Sequence, residues 1–241
     1  MSQSTPNDFF ATTRWTIVLA AGDSGTPQAA DALEALCLSY WFPLYAYVRR
    51  RGYAKEDAED LTQAFFADLL GRRDFVKTDS ERGRFRAFLL ASLKNFLANE
   101  WDKSQRLKRG GAITHFPLDW QSADTQFQIA DAAMRSPDEI FDREWAVALL
   151  ERVIVRLRDE WTAEGKAERF EQMKRYLTVG KGEIPYGQAA VEVGMDEGTL
   201  RVAVHRLRKR YRELLRSEVA HTLADPAMVE EELAVLLGAF R

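Results

Sequence analysis

Cysteine is almost absent from the chain, which contains only Cys37 and therefore cannot form an internal disulfide bond. The three histidines, at positions 115, 205 and 221, are too far apart in sequence to give the spacing of a metal-ligand cluster. Cys37 lies between Leu36 and Leu38, which favours a small buried apolar side chain over a reactive thiol. We therefore expect no disulfide framework, no metal site and no cofactor.

Long apolar runs are absent as well. No segment approaches the roughly 18 consecutive apolar residues that a membrane span needs, and the first ten residues are polar rather than signal-like. The sequence has no glycine-rich phosphate loop and no nucleophile with a nearby base. These absences predict a soluble, cytoplasmic protein that is not an enzyme and has no membrane partner.

The charge of the chain is unevenly placed. Charged residues make up 29% of the 241 residues, yet the formal net charge is only −3. Between Arg201 and Arg216, however, a single acid, Glu213, stands among a run of basic residues, which are Arg201, His205, Arg206, Arg208, Lys209, Arg210, Arg212 and Arg216. The apolar residues of the same segment are Val204, Leu207, Tyr211, Leu214 and Leu215. This pattern predicts a helix with one apolar side and one cationic side suited to phosphates.

Apolar residues recur at three- and four-residue spacing, which predicts an all-α protein. We expect two small helical domains joined by a linker, over residues 1–111 and 138–216, with the linker at 112–137 and an acidic amphipathic extension at 217–241. Phe116, Leu118 and Trp120 suggest that part of the linker docks on a neighbour. The predicted helices span 15–21, 29–51 with an interruption suggested by Pro43, 57–70, 84–101, 138–164 and 167–177.

The pattern around Gly194 predicts a helix-turn-helix. Glycine adopts the positive φ angle of a tight turn at little cost, Pro185 favours the start of the first helix, and Asp196 is a good N-cap for the second. The expected inward positions are Ala189, Ala190, Val193, Met195, Leu200 and Ala203. A solvated basic helix or a hairpin of small residues gives a similar pattern. The turn and the basic run together favour binding of duplex DNA by residues 186–216.

Two parts of the sequence carry recognisable motifs. The first consists of residues 185–190 (PYGQAA) and 198–201 (GTLR), and the second of residues 57–65 (DAEDLTQAF), 85–89 (FRAFL) and 94–95 (KN). These motifs resemble the extracytoplasmic-function subfamily of bacterial sigma factors: the first part is similar to the helix-turn-helix of sigma region 4, and the second to region 2, the sigma helical bundle. The two motifs occur in the family's order, about 125 residues apart, and together they are more specific than either alone.

The resemblance implies an alternative sigma factor that binds core RNA polymerase, recognises the −10 and −35 promoter elements and directs transcription initiation. Its implied partners are the β′ clamp helices and β flap of the polymerase, promoter DNA and an anti-sigma regulator. The implied polymerase contacts are Asp57, Asp60 and Gln63. The implied −10 contacts are Phe75 and Asn95, which would hold a flipped base, and Trp101, Lys103, Arg106, Lys108 and Arg109. The implied −35 contacts are Thr199, Arg201, His205, Arg206, Arg208 and Lys209.

Two other functions fit parts of the sequence. A repressor that binds its operator as a dimer would use the same helix-turn-helix without polymerase, but it would leave the pattern at residues 57–65 unexplained. An enzyme with an incidental basic helix is the second alternative, and the missing catalytic motifs argue against it.

The C-terminal tail combines acids with an apolar stripe. Glu230, Glu231 and Glu232 precede Leu233, Leu236, Leu237 and Phe240. This spacing predicts an amphipathic helix that packs on this protein or on a partner. One hypothesis is that the tail's acids mask the basic helix until polymerase binds.

Overall fold

The computed structural model describes residues 27–71, 84–104, 120–131, 136–178 and 184–240, and their regular secondary structure is helical. The predicted all-α class is confirmed. None of the helices in these ranges combines the length and the apolar character needed to cross a membrane. The α-helices are α1 (Pro27–Leu38), α2 (Trp41–Arg50), α3 (Lys55–Gly71), α4 (Phe85–Ser104), α5 (Trp120–Asp131), α6 (Pro137–Ala163), α7 (Ala167–Met173), α8 (Arg175–Thr178), α9 (Tyr186–Val193), α10 (Glu197–Ala220) and α11 (Val229–Gly238).

The chain divides into two compact units, one formed by residues 1–148 with 219–241 and the other by residues 149–218. The sequence predicts the second domain at 138–216, whereas the second compact unit spans 149–218. The first part of α6 belongs to the first unit because it buries Ile140, Phe141 and Trp145 there, and the Phe141 ring stacks on Tyr40 with centroids 6.4 Å apart. The C-terminal segment also belongs to the first unit.

A break separates α1 from α2, where the sequence predicts one interrupted helix. The interruption lies at Ser39 and Tyr40 rather than at Pro43. Pro43 is in the first turn of α2, where a backbone N–H has no partner within the helix, so proline is tolerated. Every residue of α2 from 42 to 48 is buried, which puts this helix in the core of the first unit. The predicted helix at 15–21 lies outside the described residues.

Helix α5 occupies part of the segment predicted to be a linker at 112–137. Its Trp120 ring packs edge-on against Trp41 and Tyr45, at centroid distances of 5.3 and 5.7 Å, and Ala123 and Phe127 are buried. These residues follow one another at helical spacing, so one side of α5 is covered, while Ser122, Thr125 and Gln128 are exposed. The linker prediction is therefore wrong for residues 120–131, and Phe116 and Leu118 lie outside the described ranges.

The C-terminal segment is built into the first unit. The backbone N–H of Phe85 donates to the carbonyl oxygen of Thr222 at 2.9 Å, and Arg84 and Leu223 form an isolated antiparallel bridge. Helix α11 is amphipathic as predicted, since Val229 and Leu236 are buried while Leu237 is exposed. The tail therefore closes over the start of α4.

A buried ionic cluster joins α11 to α4 and α6. The Glu232 carboxylate is fully buried and accepts a hydrogen bond from Arg86 Nε at 3.0 Å. Arg86 also bonds Asp142, and its guanidinium lies 4.8 Å from the centroid of the Trp145 ring. Burial raises the pKa of the Asp142 carboxyl, although Arg86 acts in the opposite direction. A single guanidinium thus holds two carboxylates that would repel each other.

The same contacts correct the masking hypothesis for the tail. Glu232 also lies 3.4 Å from Arg84 Nε, and the neighbouring Glu231 pairs with Arg84 at 2.5 Å. These two carboxylates are therefore occupied within the first unit. A masking role of the tail would therefore have to use acids other than the buried Glu232.

Replacing Glu232 with glutamine should lower the free energy of unfolding by about 3 kcal/mol, because it leaves a buried guanidinium with an incomplete set of partners. Glu231→Gln is the matched control. Its side chain is 66% exposed, so the loss there should stay within about 1 kcal/mol. Urea unfolding followed by circular dichroism measures both. An equal decrease in the free energy of unfolding in the two variants would show that the buried ion pair contributes no more to stability than the exposed one.

Candidate nucleic-acid interface

The turn between α9 and α10 has the geometry that the sequence predicts. Gly194 adopts φ +68° and ψ +38°, a left-handed conformation that glycine reaches without steric cost. Its N–H bonds the carbonyl of Val191 at 3.2 Å, and the N–H of Met195 bonds that of Ala190 at 2.9 Å. Only three residues, 194–196, separate the two helices. Helix α9 and the start of α10 therefore form a helix-turn-helix.

Asp196 caps the N-terminus of α10, as predicted. One carboxylate oxygen accepts the backbone N–H of Thr199 at 2.9 Å, and the other accepts the Thr199 hydroxyl. These hydrogen bonds hold the pKa of the Asp196 carboxyl below its ordinary value of 3.8. Thr199 is exposed and its hydroxyl donates its proton to the cap, so as the predicted DNA contact it can accept a hydrogen bond while the cap is intact but cannot also donate one.

One side of α10 is buried in the second unit. Leu200, Val204, Leu207 and Leu214 are at most 2% exposed. Among the inward positions predicted for α9 and the turn, Ala189 and Ala190 are also buried, whereas Val193, Met195 and Ala203 are half-buried. This packing determines which residues of α10 point outward.

The opposite side of α10 forms the outward face, which we define as residues 198, 202, 205, 206 and 209. Successive helix residues are rotated by about 100°, so these positions share one side, and all five are exposed. Across the described ranges, Arg206 and the later Arg212 have no ion-pair partner, and Lys209 has only a distant one, Glu213 at 4.0 Å. Their positive charges are therefore available to a polyanion.

Arg201 borders the outward face and is held in place from two sides. Its Nε and Nη2 donate to Glu197 Oε1 at 3.0 and 2.5 Å. Its guanidinium lies 4.7 Å from the centroid of the Tyr186 ring, which stacks on Tyr176 at 5.2 Å with an interplanar angle of 9°. The sequence pattern did not identify this stack because Tyr176 and Tyr186 lie on different helices. The arrangement limits the orientations of Arg201 before any ligand arrives.

Other cations of α10 have structural roles. Arg208 is only partly exposed, and its Nε donates to the carbonyl oxygen of Tyr176 at 2.8 Å. Arg210 bonds Glu160 through Nε and Nη2, at 2.8 and 2.6 Å, and these bonds raise the pKa of its guanidinium and lower that of the Glu160 carboxyl. The predicted contact Arg208 is thus partly committed to the fold. His205, by contrast, is exposed beside Arg201 in a groove with Tyr186.

The polymerase contacts implied by the resemblance lie on α3, and the structure separates them. Asp57 and Asp60 are exposed, but Gln63 is only 6% exposed. Each step of three residues turns by about 300°, so Gln63 rotates away from Asp57 and towards the side that buries Phe66. Gln63 is therefore not available to a partner in this conformation. Of the three implied polymerase contacts, only Asp57 and Asp60 lie on the surface.

The −10 candidates are described only in part. Asn95 is exposed on α4. Trp101 and Lys103 lie in the last turn of α4, where the structure describes only the backbone. Phe75, Arg106, Lys108 and Arg109 lie outside the described residues.

The Asp196 cap gives a pH-dependent contribution with a defined sign. The folded pKa of this carboxyl is lowered, so its stabilisation is complete above the ordinary value and is lost as the pH falls through the folded pKa. Asp196→Ala should lower the melting temperature at neutral pH, whereas Asp196→Asn keeps a capping oxygen and should lower it less. Thermal unfolding at a series of acidic pH values should show a steeper loss in the wild type than in Asp196→Asn. The same acid dependence in both proteins would contradict the assignment.

Within the described ranges, no group of His, Cys, Asp and Glu residues is arranged to hold a metal ion. No family model matches the chain, and neither a curated protein nor a solved structure matches it.

Proposed function

We propose that this protein is an alternative sigma factor that binds core RNA polymerase, reads promoter DNA and directs transcription initiation. The observation that carries the proposal is the outward face of α10, where His205, Arg206 and Lys209 are exposed on the helix that follows the Gly194 turn. In this proposal, α10 reads the −35 duplex and the first unit engages the −10 element.

The shape and charge of α10 support the DNA-binding part. An α-helix with its side chains is about 10–12 Å wide and enters the major groove, which is about 12 Å across. In helix-turn-helix proteins, early residues of the second helix contact base edges. Arg201 and Arg206 lie in this early part, and Lys209 and Arg212 follow where phosphate contacts are expected. The guanidinium groups of Arg201 and Arg206 can each bond a guanine edge through two donors.

The polymerase part of the proposal depends on α3 and α4. Asp57 and Asp60 present carboxylates at the start of α3, within the segment 57–65 that resembles sigma region 2. Asn95 is exposed on α4, within the segment 94–95 that also resembles region 2. A DNA-binding repressor would have no need of this pattern, which is why we favour the sigma factor.

Substitutions in α10 should separate base reading from phosphate binding. Arg201→Ala and Arg206→Ala should each weaken binding by about 1–3 kcal/mol on the preferred sequence and less on others, because a two-donor base contact is lost. Arg212→Ala should weaken binding equally on all sequences and reduce the salt dependence by about one counterion. Lys174→Ala is the control, since Lys174 is an exposed cation outside α10. Fluorescence anisotropy of the reconstituted holoenzyme on labelled duplexes measures these effects.

Reconstitution with bacterial core RNA polymerase tests the whole proposal. The protein should co-elute with core enzyme and direct specific initiation on promoters of its host. The double variant Asp57→Asn with Asp60→Asn should weaken co-elution, whereas Asp31→Asn, an exposed carboxylate on α1, should not. Specific DNA binding as a dimer, unchanged by core polymerase, would support the repressor instead. A protein that neither joins core enzyme nor starts transcription is not a sigma factor.

A further inference from the structure

We infer that Val202 recognises a thymine in the bound duplex through the thymine C5-methyl group, an inference that rests on the proposed DNA binding of α10. Val202 is in the second turn of α10 and is 50% exposed. It occupies the centre of the outward face, with Gly198, Thr199, His205 and Arg206 at the neighbouring positions three and four residues away. No acid stands among these neighbours.

Exposure alone would carry no conclusion, because single exposed apolar residues are common. Val155 on α6 illustrates the ordinary case, since it is 48% exposed and its neighbours at the same spacings are Glu151, Arg152, Arg158 and Asp159. Two acids and two bases balance each other there. Val202 differs because none of its helical neighbours at these spacings is acidic, while Arg206 among them is cationic.

The surroundings of Val202 define the chemistry of its partner. Val202 lines a shallow concave surface of the second unit to which four cations, Lys166, Arg169, Arg206 and Arg210, and two acids, Glu164 and Asp196, also contribute. Glu164 pairs with Lys166 and Glu160 pairs with Arg210, whereas the structure shows no ion pair for Arg169 or Arg206 among the described residues. The charge that remains available to a ligand beside Val202 is therefore positive. A complementary ligand has an apolar spot framed by anionic groups. Duplex DNA has this form, with thymine methyl groups in a groove bordered by phosphates.

The valine side chain can make only apolar contacts, and this property determines which base it can recognise. The edges of adenine, guanine and cytosine in the major groove present hydrogen-bond donors and acceptors, whereas thymine alone adds a methyl group. A valine packed against a hydrogen-bond donor or acceptor of a base would displace the water bound to that group without offering a hydrogen bond in return. Val202 therefore favours thymine and disfavours the other bases at one position, while Arg201 and Arg206 are placed to contact neighbouring positions.

The test removes the C5-methyl group from the DNA and the two methyl groups of Val202 from the protein. The holoenzyme, reconstituted with core polymerase, first selects its preferred duplex from a randomised library. Each thymine of that duplex is then replaced by deoxyuridine, which lacks only the C5-methyl group. One replacement should weaken binding of the wild-type protein about fourfold, the effect of one buried methyl group. In Val202→Ala, the same replacement should have no effect, whereas the control Val155→Ala should keep the wild-type response.

Three outcomes would overturn the inference while leaving DNA binding intact. They are a selected duplex without thymine in the contacted region, no uracil effect at any position, and a uracil effect that Val202→Ala does not change. Because alanine favours helix and Val202 lies at the surface, the variant should fold, and circular dichroism verifies this. If no sequence is enriched with or without core polymerase, the proposed function itself fails. In that case an acidic protein surface becomes the alternative partner of the outward face.

Discussion

The turn at residues 194–196 is the constraint on which the candidate interface depends. Gly194 reverses the chain in a left-handed conformation, and Asp196 then fixes where α10 begins by binding the backbone and hydroxyl of Thr199. Because each helix residue is rotated by about 100°, a start displaced by one residue would bring other side chains to the surface. Burial of Leu200, Val204 and Leu207 holds the same rotation from the inner side. The turn and the buried residues of α10 therefore both place the same residues on the outward face.

Ion pairing then divides the cations of α10 into two groups. Arg210 lies close to Glu160, and Arg208 reaches the backbone of Tyr176, so both contribute to the fold of the second unit. Arg206 and Arg212 have no such partner in the described ranges, and they retain their charge for a ligand. A phosphate can bind an unpaired guanidinium without first displacing a carboxylate, which makes this second group the stronger candidates. Arg201 is intermediate, since it must leave Glu197 but keeps its position over the Tyr186 ring.

The first unit shows a different use of charge. Its tail buries Glu232 against Arg86, and Asp142 and Trp145 complete the surroundings of that guanidinium. A buried carboxylate without a partner would be strongly unfavourable, so α11 can pack in this way only with Arg86 beside it. Some of the acids that make the net charge of the chain negative are thus used to hold the fold together. The negative net charge is therefore compatible with a cationic surface on α10.

The sequence by itself determined the helical class, the Gly194 turn, the Asp196 cap and the basic side of α10, because each of these depends on residues within a few positions of one another. It did not determine that α5 packs on α2, that Gln63 is buried, or that Tyr176 supports Tyr186 and Arg201. These features depend on residues from separate helices. The composition of residues 120–131 suggested a linker because polar residues outnumber the apolar ones that pack on α2. Only tertiary packing decided which cations are paired, since an ion pair such as Arg86–Glu232 joins positions 146 residues apart.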